Sequence, residues 1–195
     1  MMRLRRTTGK GSTLGAVALA GVLAAAAAVP GAAMTIVVRD DVHMTAAADA
    51  VVHGTVASVE ARLHATGRVH THTVLLVEEV WKGDVGGDRI EIVEPGGVTA
   101  EAADWIPGVP RFRAGQELVL FLVRQPDGTW SVLDFWAGAF RVLELADGRA
   151  ILSRAPHGEA LRLYGPALRE FMDEPRDLAA FRSWIEARTE GRYVE

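Results

Sequence analysis

The sequence predicts a mainly β domain followed by one C-terminal amphipathic helix. From about residue 50 to residue 153 the chain is divided into short segments rich in Val, Ile and Leu, and several of them alternate apolar and polar residues as strands do. Clusters of Gly, Pro and Asp separate these segments at the positions where turns are expected. After residue 175 the apolar residues instead recur at helical spacing.

The first half of the predicted sheet contains three strands. Residues 50–62, AVVHGTVASVEAR, are rich in Val, and Gly54 marks a bend or a bulge within them. Residues 69–80, VHTHTVLLVEEV, form a second long strand that ends at the turn WKGD, residues 81–84. Residues 89–94, RIEIVE, alternate cleanly and stop at the Pro-Gly-Gly that follows them.

The second half contains a central strand and two hairpins. Residues 98–115 form a connection that is longer than most loops inside a compact domain. Residues 116–124, QELVLFLVR, are apolar on both faces near their middle, as is expected of a central strand. The turn sequences QPDG and ADGR then predict two hairpins. The strands that these turns join are residues 116–124 with 129–135, and residues 139–145 with 150–153.

The C-terminal segment predicts a helix that packs on the β domain. Residues 156–175 are irregular and punctuated by Gly and Pro, and a helix is expected to begin near Pro175 and to end at Gly191. Its polar face contains Asp and Glu as well as Arg, which favours docking on the domain over a membrane surface. The predicted divisions of the chain are an export segment, residues 1–33, a β domain, residues 34–155, and a linker with the helix, residues 156–195.

The N-terminal segment has the organisation of a secretory signal peptide. A basic start precedes a long apolar run rich in Ala, and small residues follow it. We expect cleavage after Ala33, with Ala28 as an alternative. A retained anchor is the other interpretation, because the apolar character continues from Leu14 to Val38, a length that spans a bilayer. The sequence therefore predicts a secreted or periplasmic protein.

The part of the chain after the export segment is acidic and has no cysteine. Residues 1–33 hold four of the 21 basic residues and none of the 25 acidic ones, so residues 34–195 have a formal charge of −8. This charge argues against nucleic acid as a partner, and against attachment to a membrane except through the N-terminal segment. The lack of cysteine excludes disulfides and thiolate metal sites. No cofactor is predicted, and the expected partner is a protein or a component of the cell envelope.

Four stretches of the chain, in this order, resemble a known family. They are ADAVVHGTV at residues 48–56, VLLVEEVWKGD at 74–84, IEIVEPGG at 90–97 and FRAGQELVLFL at 112–122. The pattern is similar to that of secreted bacterial proteins of uncharacterised function and, more remotely, to the netrin-like module of the tissue inhibitors of metalloproteinases. It covers the chain from about residue 48 to about residue 142.

The resemblance implies a five-stranded β-barrel of the OB type, and closing the strands into a barrel also removes exposed sheet edges. It does not imply the inhibitors' mechanism. Those proteins bind the protease zinc through an N-terminal cysteine braced by disulfides, and this chain contains no cysteine.

The stretch GRVHTHT, residues 67–73, is the strongest candidate for a metal site. On a strand His70 and His72 share a face, with side chains roughly 7 Å apart, and two neutral imidazoles there suit zinc, copper or nickel. A stable site needs a further ligand, for which His64, Glu78 or His53 would have to come from a turn or a neighbouring strand. The alternative, which we favour from the sequence, is that both histidines lie on a solvated face while Val69 and its odd-numbered neighbours point inward.

Catalytic motifs are missing from the sequence. It contains no G-x-S-x-G elbow, no H-E-x-x-H pair and no Gly-rich phosphate loop. Glu78 and Glu79 offer two carboxylates, but adjacent residues on a strand point to opposite faces, so they share a site only if a bulge intervenes. We therefore expect a protein that is not an enzyme.

The long connection is the predicted binding surface. Asp104, Trp105, Arg111 and Phe112 place aromatic and charged groups on one irregular segment, a composition typical of interface hot spots. In the alternative, Trp105, Ile106 and Phe112 fold back and plug one end of the barrel. The predicted function is a non-enzymatic binding module. The alternatives are a metal-handling protein that uses His70 and His72, or an inhibitor-like domain without the cysteine mechanism.

Overall fold

A computed structural model describes residues 35–37, 39–154, 162–164 and 176–191, all within the unit that spans residues 34–195. The predicted export segment and its cleavage site lie outside the described residues, as does most of the predicted linker. In the described part of the chain no helix combines the length and the apolar character needed to cross a membrane.

The described residues form twelve strands and two α-helices, with a short 3-10 helix at Phe135–Gly138. In chain order the elements are β1 (Thr35–Val37), α1 (Asp41–Ala47), β2 (Ala50–Leu63), β3 (Val69–Lys82), β4 (Arg89–Pro95), β5 (Gly97–Val98), β6 (Ala103–Asp104), β7 (Glu117–Arg124), β8 (Trp130–Val132), β9 (Ala139–Glu144), β10 (Ala150–Ser153), β11 (Arg162–Tyr164), β12 (Arg176–Asp177) and α2 (Leu178–Thr189).

Five of these strands close into a barrel. Neighbouring strands pair in the order β7, β2, β3, β4, β8, and β8 pairs with β7 to complete the circle. The pairing of β4 with β8 is parallel and the others are antiparallel. The predicted mainly β barrel with a C-terminal helix is therefore confirmed.

Strand β7 separates two hydrophobic cores. Leu118, Leu120 and Leu122 point into the barrel, whereas Val119 and Phe121 point out into a second apolar layer. This division explains why the strand is apolar on both faces, as its sequence predicts. The barrel interior also contains Ala50, Val52, Val56, Leu75, Val85, Ile90, Ile92, Trp130 and Val132. The outer layer also contains Met44, Ala48, Val51, Trp81, Leu133, Phe140, Leu152, Phe181 and Ile185.

Helix α2 covers the outer layer. It begins after Asp177, whose carboxylate accepts a hydrogen bond of 2.9 Å from the Ala180 N–H, and it buries Phe181 and Ile185. Burying two side chains of this size contributes about 1.5–3 kcal/mol each. The Phe181 ring lies 5.5 Å from that of Phe140 and 6.3 Å from that of Phe121. The predicted docked helix is confirmed.

Helix α1 precedes the first predicted strand, in a stretch for which no element was predicted from the sequence. Asp40 provides its N-cap by accepting a hydrogen bond of 2.7 Å from the His43 N–H. At the other end Lys82 Nζ donates to the carbonyls of Thr45 and Ala48, at 2.6 Å each. A cation at a helix C-terminus is favourable because the last carbonyls have no partner in the helix.

A buried ion network joins α1 to the end of β10 and to β12, at the edge of the sheet beyond the barrel. Asp41 accepts hydrogen bonds from Arg154, at 2.7 Å, and forms an ion pair with Arg176, at 2.8 Å. The side chains of Asp41 and Arg154 are 6 % and 1 % exposed. The Arg154 guanidinium also lies 4.2 Å from the centre of the Phe140 ring, so the charge is held within the apolar outer layer.

Three further differences concern irregular segments. The connection of residues 98–115 contains β6, which forms a small hairpin with β5. The strand predicted for residues 129–135 is shorter, because β8 ends at Val132 and the chain then turns into the 3-10 helix. Within the predicted irregular linker, β11 pairs in parallel with β1.

Candidate functional site

His70 and His72 lie on the outer face of β3. Val69, Thr73 and Leu75, which alternate with them, are buried. On the neighbouring strand β4, Val93 pairs with His72, and Pro95 pairs with His70. Both histidines line an open cleft of about 660 Å³ above strands β3 and β4, so they share one face as the sequence predicts.

His64 comes to this face from the turn between β2 and β3. The turn is closed by two backbone hydrogen bonds of 2.9 Å, from the His64 N–H to the Arg68 carbonyl and from the Gly67 N–H to the His64 carbonyl. Nε2 of His64 lies 3.2 Å from Nε2 of His72, and its ring centre lies 4.2 Å from that of His70. The turn therefore supplies a third imidazole to the cleft.

His72 is held by a carboxylate. Its Nδ1 lies 2.9 Å from Oε1 of Glu91 on β4, and its side chain is 11 % exposed. Nη1 of Arg62 lies 3.3 Å from the same ring nitrogen and donates to Glu91 Oε1 at 3.4 Å, whereas Nε2 of His72 faces His64. The solvated face that the sequence analysis favoured is therefore wrong for His72, because the turn and β4 cover its ring.

His70 is shifted towards its neutral form. Burial lowers its pKa below the ordinary value, and electrostatic interactions with His64, His72 and Arg68 lower the pKa further, while the Asp104 carboxylate acts in the opposite direction. Neutral imidazole is the form that binds metal ions. Crowding three imidazoles at one cleft thus favours the form that is competent to ligate.

The opposite wall of the cleft is built by the β7–β8 hairpin and the segment that follows it. Gln125, Asp127 and Ser131 contribute polar groups there. Asp134 and Phe135, which also line the cleft, have φ angles of 52° and 57°, in the left-handed region that residues other than Gly rarely adopt. Such strain costs on the order of 1–3 kcal/mol per residue and is concentrated at ligand sites in proteins.

Glu94 lies at the floor of the cleft and points into the barrel. It is 5 % exposed, and its Oε1 accepts a hydrogen bond of 2.6 Å from the Val132 N–H. Burial raises the pKa of Glu94 to about 7, because one backbone donor compensates only part of the lost hydration. The cleft therefore contains a carboxyl group that titrates near neutral pH.

The geometry of the His64–His72 pair suits a tetrahedral metal ion. Two imidazole nitrogens bound to one zinc ion at about 2.0–2.1 Å are separated by about 3.3–3.4 Å, close to the 3.2 Å between the two Nε2 atoms. The Glu91 carboxylate behind His72 is the outer partner that metal-binding histidines usually have. The three histidines do not bring three ligand atoms within 4.8 Å of one another, so the His70 ring has to rotate to complete a three-histidine site.

The four residues predicted as a binding surface on the long connection do not form one surface, although two of them, Trp105 and Arg111, contact each other. Asp104 Oδ2 accepts a hydrogen bond of 2.9 Å from the Val69 N–H and pairs with Arg68, so it ties the connection to β3. Phe112 packs against the barrel interior, as the plug interpretation predicts. Trp105 is 61 % exposed and stacks with Arg111, whose guanidinium carbon lies 3.7 Å from the ring centre, so the plug interpretation is wrong for Trp105.

Two participants in the cleft were not identified from the sequence. Glu91 occupies an ordinary alternating position of β4, and Glu94 precedes a Pro-Gly turn, so neither stands out without the strand pairing. His64 was considered as a further ligand, but its distance from His70 and His72 depends on the path of the turn. A comparison of the sequence with models of protein families and with curated proteins gives no match.

Proposed function

We propose that this protein is a non-enzymatic, extracytoplasmic binding module and that its cleft binds a transition-metal ion. The observation that carries the proposal is the 3.2 Å separation of the His64 and His72 Nε2 atoms, with Glu91 bound to the other nitrogen of His72. Zn²⁺ and Cu²⁺ fit a site of imidazoles, and no thiolate is present to prefer another metal.

The location of the cleft supports the same proposal. We infer that the barrel is of the OB type, because five strands close in a circle with one parallel pair. OB-type barrels bind their ligands on the face of their second and third strands, between the loop that follows the first strand and the loop between the last two. In this chain the corresponding strands are β3 and β4, and the loops contain His64 and Asp127.

The charge of the protein favours a cation in this cleft. Glu91, Asp127 and Asp134 lie at or beside it, and residues 34–195 have a formal charge of −8. Nucleic acid and phosphate ligands require a basic surface instead. A metal ion is therefore the ligand class that agrees with both the side chains and the overall field.

Calorimetric titration with Zn²⁺ and Cu²⁺ tests the proposal. The wild-type protein is expected to bind at micromolar or lower concentration, and the His64→Ala/His72→Ala double variant is expected to lose one equivalent of metal. His43→Ala is the matched control, because His43 is exposed and its imidazole contacts Asp40 on helix α1, outside the cleft. Identical titrations of the wild type and the double variant would contradict the proposal.

The exposed Trp105–Arg111 stack favours a second candidate function, the binding of a protein of the cell envelope. A large aromatic ring that is 61 % exposed beside an arginine is typical of interface hot spots. A photo-reactive residue at position 105 is expected to form a discrete protein adduct in the exporting cell. The control is the same residue at position 143, since Leu143 is exposed on another part of the surface. The same adducts from both positions would exclude a specific surface at Trp105.

Export itself is a proposal that rests on the N-terminal sequence. N-terminal sequencing of the protein from the periplasm or the medium is expected to begin at Met34, or at Val29 if cleavage follows Ala28. Recovery of the uncleaved chain in the membrane fraction would support the retained anchor instead. The relationship to the netrin-like modules is likewise a proposal, supported by the order of the four matching stretches.

A further inference from the structure

A second group of ligating side chains lies on the outer wall of the barrel, at the other end of β3 from His72. His53 of β2, Glu78 of β3 and Glu117 of β7 each place one ligand atom within 4.8 Å of the others. Among the residues that the structure describes, no other group of three meets this criterion. His72 and Glu78 are six residues apart on the strand, roughly 20 Å, so this group is separate from the histidine cleft.

A β-bulge creates the group. His53 pairs with Glu79, and Gly54 pairs with Val77, so that Glu78 is an extra residue in the ladder. The sequence analysis recognised that Glu78 and Glu79 share a site only across a bulge, and the structure has one at this position. Gly54 permits it, because a Cβ atom there would lie 2.1 Å from the Leu76 carbonyl oxygen. Bulges re-aim side chains in this manner next to functional sites.

Each side chain of the group is already oriented. Nε2 of His53 lies 2.7 Å from Oε1 of Glu117, and the Thr55 hydroxyl donates a hydrogen bond of 2.7 Å to Glu78. On its other side, Nδ1 of His53 lies 3.8 Å from Oε2 of Glu79. His53 is 8 % exposed, so its ring is fixed by packing while the carboxylates remain accessible to solvent.

Glu79 has the position of an outer partner to His53. Its carboxylate accepts hydrogen bonds from Trp81 Nε1, at 2.8 Å, and from Arg182 of helix α2, at 2.6 Å. A carboxylate behind the distal nitrogen is characteristic of metal-binding histidines, because it fixes the ring and leaves the other nitrogen free to ligate. At 3.8 Å the Glu79 carboxylate lies beyond hydrogen-bond distance of His53 Nδ1, so in this structure it acts on the ring through its charge.

The charges of the cluster match a divalent cation. Arg182 forms an ion pair with Glu79, which leaves the carboxylates of Glu78 and Glu117 beside the His53 ring. We propose that His53, Glu78 and Glu117 bind one divalent cation of the class that combines carboxylate and water ligands with an imidazole, for which Mn²⁺ is the probe. Two ligand atoms that bind one ion at about 2.1–2.2 Å and at right angles to each other are about 3.0 Å apart. The distance between His53 Nε2 and Glu117 Oε1, which is 2.7 Å, therefore has to increase by a few tenths of an ångström.

Titration of the full chain with Mn²⁺, followed by the electron paramagnetic resonance signal of the free ion, tests this site. Wild type is expected to bind one equivalent, and Glu78→Gln/Glu117→Gln is expected to bind at least tenfold more weakly. These substitutions keep the side-chain volume at two solvent-accessible positions, so the variant is expected to fold. Glu79→Gln is expected to weaken binding less than the double substitution does, because Glu79 lies 3.8 Å from His53 Nδ1 and does not touch the ion. Glu60→Gln, which removes a carboxylate elsewhere on β2, is the matched control and is expected to leave binding unchanged.

The outcomes separate this proposal from the histidine cleft. Loss of Mn²⁺ binding in Glu78→Gln/Glu117→Gln, but not in His64→Ala/His72→Ala, supports a second site whether or not the cleft binds metal. Unchanged Mn²⁺ binding in Glu78→Gln/Glu117→Gln, or no binding by the wild type, overturns it.

Discussion

Among the residues that the structure describes, Asp41 and Glu94 are buried carboxyl groups with opposite surroundings, one under the helices and one beneath the cleft. Asp41 is surrounded by the guanidinium groups of Arg154 and Arg176, at 2.7 and 2.8 Å. Glu94 is buried as deeply but has one backbone N–H, from Val132, as its hydrogen-bond donor. The charge of Asp41 is therefore compensated by two arginines, whereas Glu94 has no buried cation beside it among the described residues and its pKa is raised to about 7.

The cleft side of the molecule is compensated less well than the helix-covered side and contributes less to the stability of the fold. A paired buried charge is costly to disturb, since removing one partner leaves the other without compensation. The cleft combines an incompletely solvated carboxyl, three crowded imidazoles and two residues with left-handed backbone. Features of this kind reduce stability and are retained at sites that bind ligands. The comparison therefore agrees with the proposal that the cleft binds a ligand.

The largest expected effect comes from the helix-covered side. Asp41→Asn removes the charge between two arginines and is expected to destabilise the protein by about 3–5 kcal/mol, because Arg154 is left buried without its counter-charge. The melting temperature is then expected to fall by roughly 6–20 °C. Asp40→Asn, one residue earlier, is the control, since Asn caps a helix as well as Asp does. Equal melting temperatures for the two variants would show that the network does not stabilise the fold.

Glu94→Gln is expected to stabilise the protein, in contrast to Asp41→Asn, and the size of the gain is expected to depend on pH. The pKa of Glu94 is about 7 in the folded protein and near its ordinary value when unfolded, so the native state binds the extra proton between these values. Stability therefore declines as the pH rises from about 4.5 to about 7 and is constant above, a loss on the order of 3 kcal/mol. The glutamine variant keeps an acceptor for Val132 and removes this loss.

Denaturant unfolding at pH 4.5 and pH 8 measures the effect. The variant is expected to be more stable than the wild type at pH 8 and nearly equal to it at pH 4.5. Glu144→Gln, an exposed carboxylate on β9, serves as the control at both pH values. A stability difference that is the same at both would contradict the assignment of the titration to Glu94.

The smallest expected effect is that of His64→Ala/His72→Ala in metal-free buffer. Both rings lie outside the two hydrophobic cores, so their removal is expected to change the free energy of unfolding by less than about 1 kcal/mol. With Zn²⁺ at 100 times its dissociation constant, the wild type is expected to gain about 2.7 kcal/mol that the variant does not gain. A large loss of stability without metal would instead mean that the imidazoles support the fold.

The strands and helix α2 were predictable because their buried side chains recur at the spacing of a strand or of a helix. The alternation of Arg89–Pro95 and the spacing of Phe181 and Ile185 both follow from which side chains face a core. The turn sequences QPDG and ADGR fixed the two later hairpins for a similarly local reason. Helix α1 was missed because its seven residues, which follow a capping Asp, are too few to show a period.

The sites could be predicted only in part, because they depend on how strands are registered. His70 and His72 share a face by alternation alone, but their neighbour His64 is placed by a turn. The meeting of His53 with Glu117 requires the pairing of β2 with β7, and the two residues are 64 positions apart in the sequence. No local pattern reports such pairings, and a one-residue change in register would turn every side chain to the other face.

The hairpin of β2 and β3 departs from regular pairing at three points, and these set the limits for redesigning the barrel. Register shifts occur between Val51 and Val52, between His53 and Gly54, and between Val56 and Ser58. Such irregularities bend long strands enough for a small barrel to close. Positions at these shifts therefore have little freedom to vary, whereas the outward positions between them are open to new ligand sets. A redesign of the barrel should leave the residues at these bends unchanged, His53 and Gly54 among them, and should place its substitutions on the straight stretches between them.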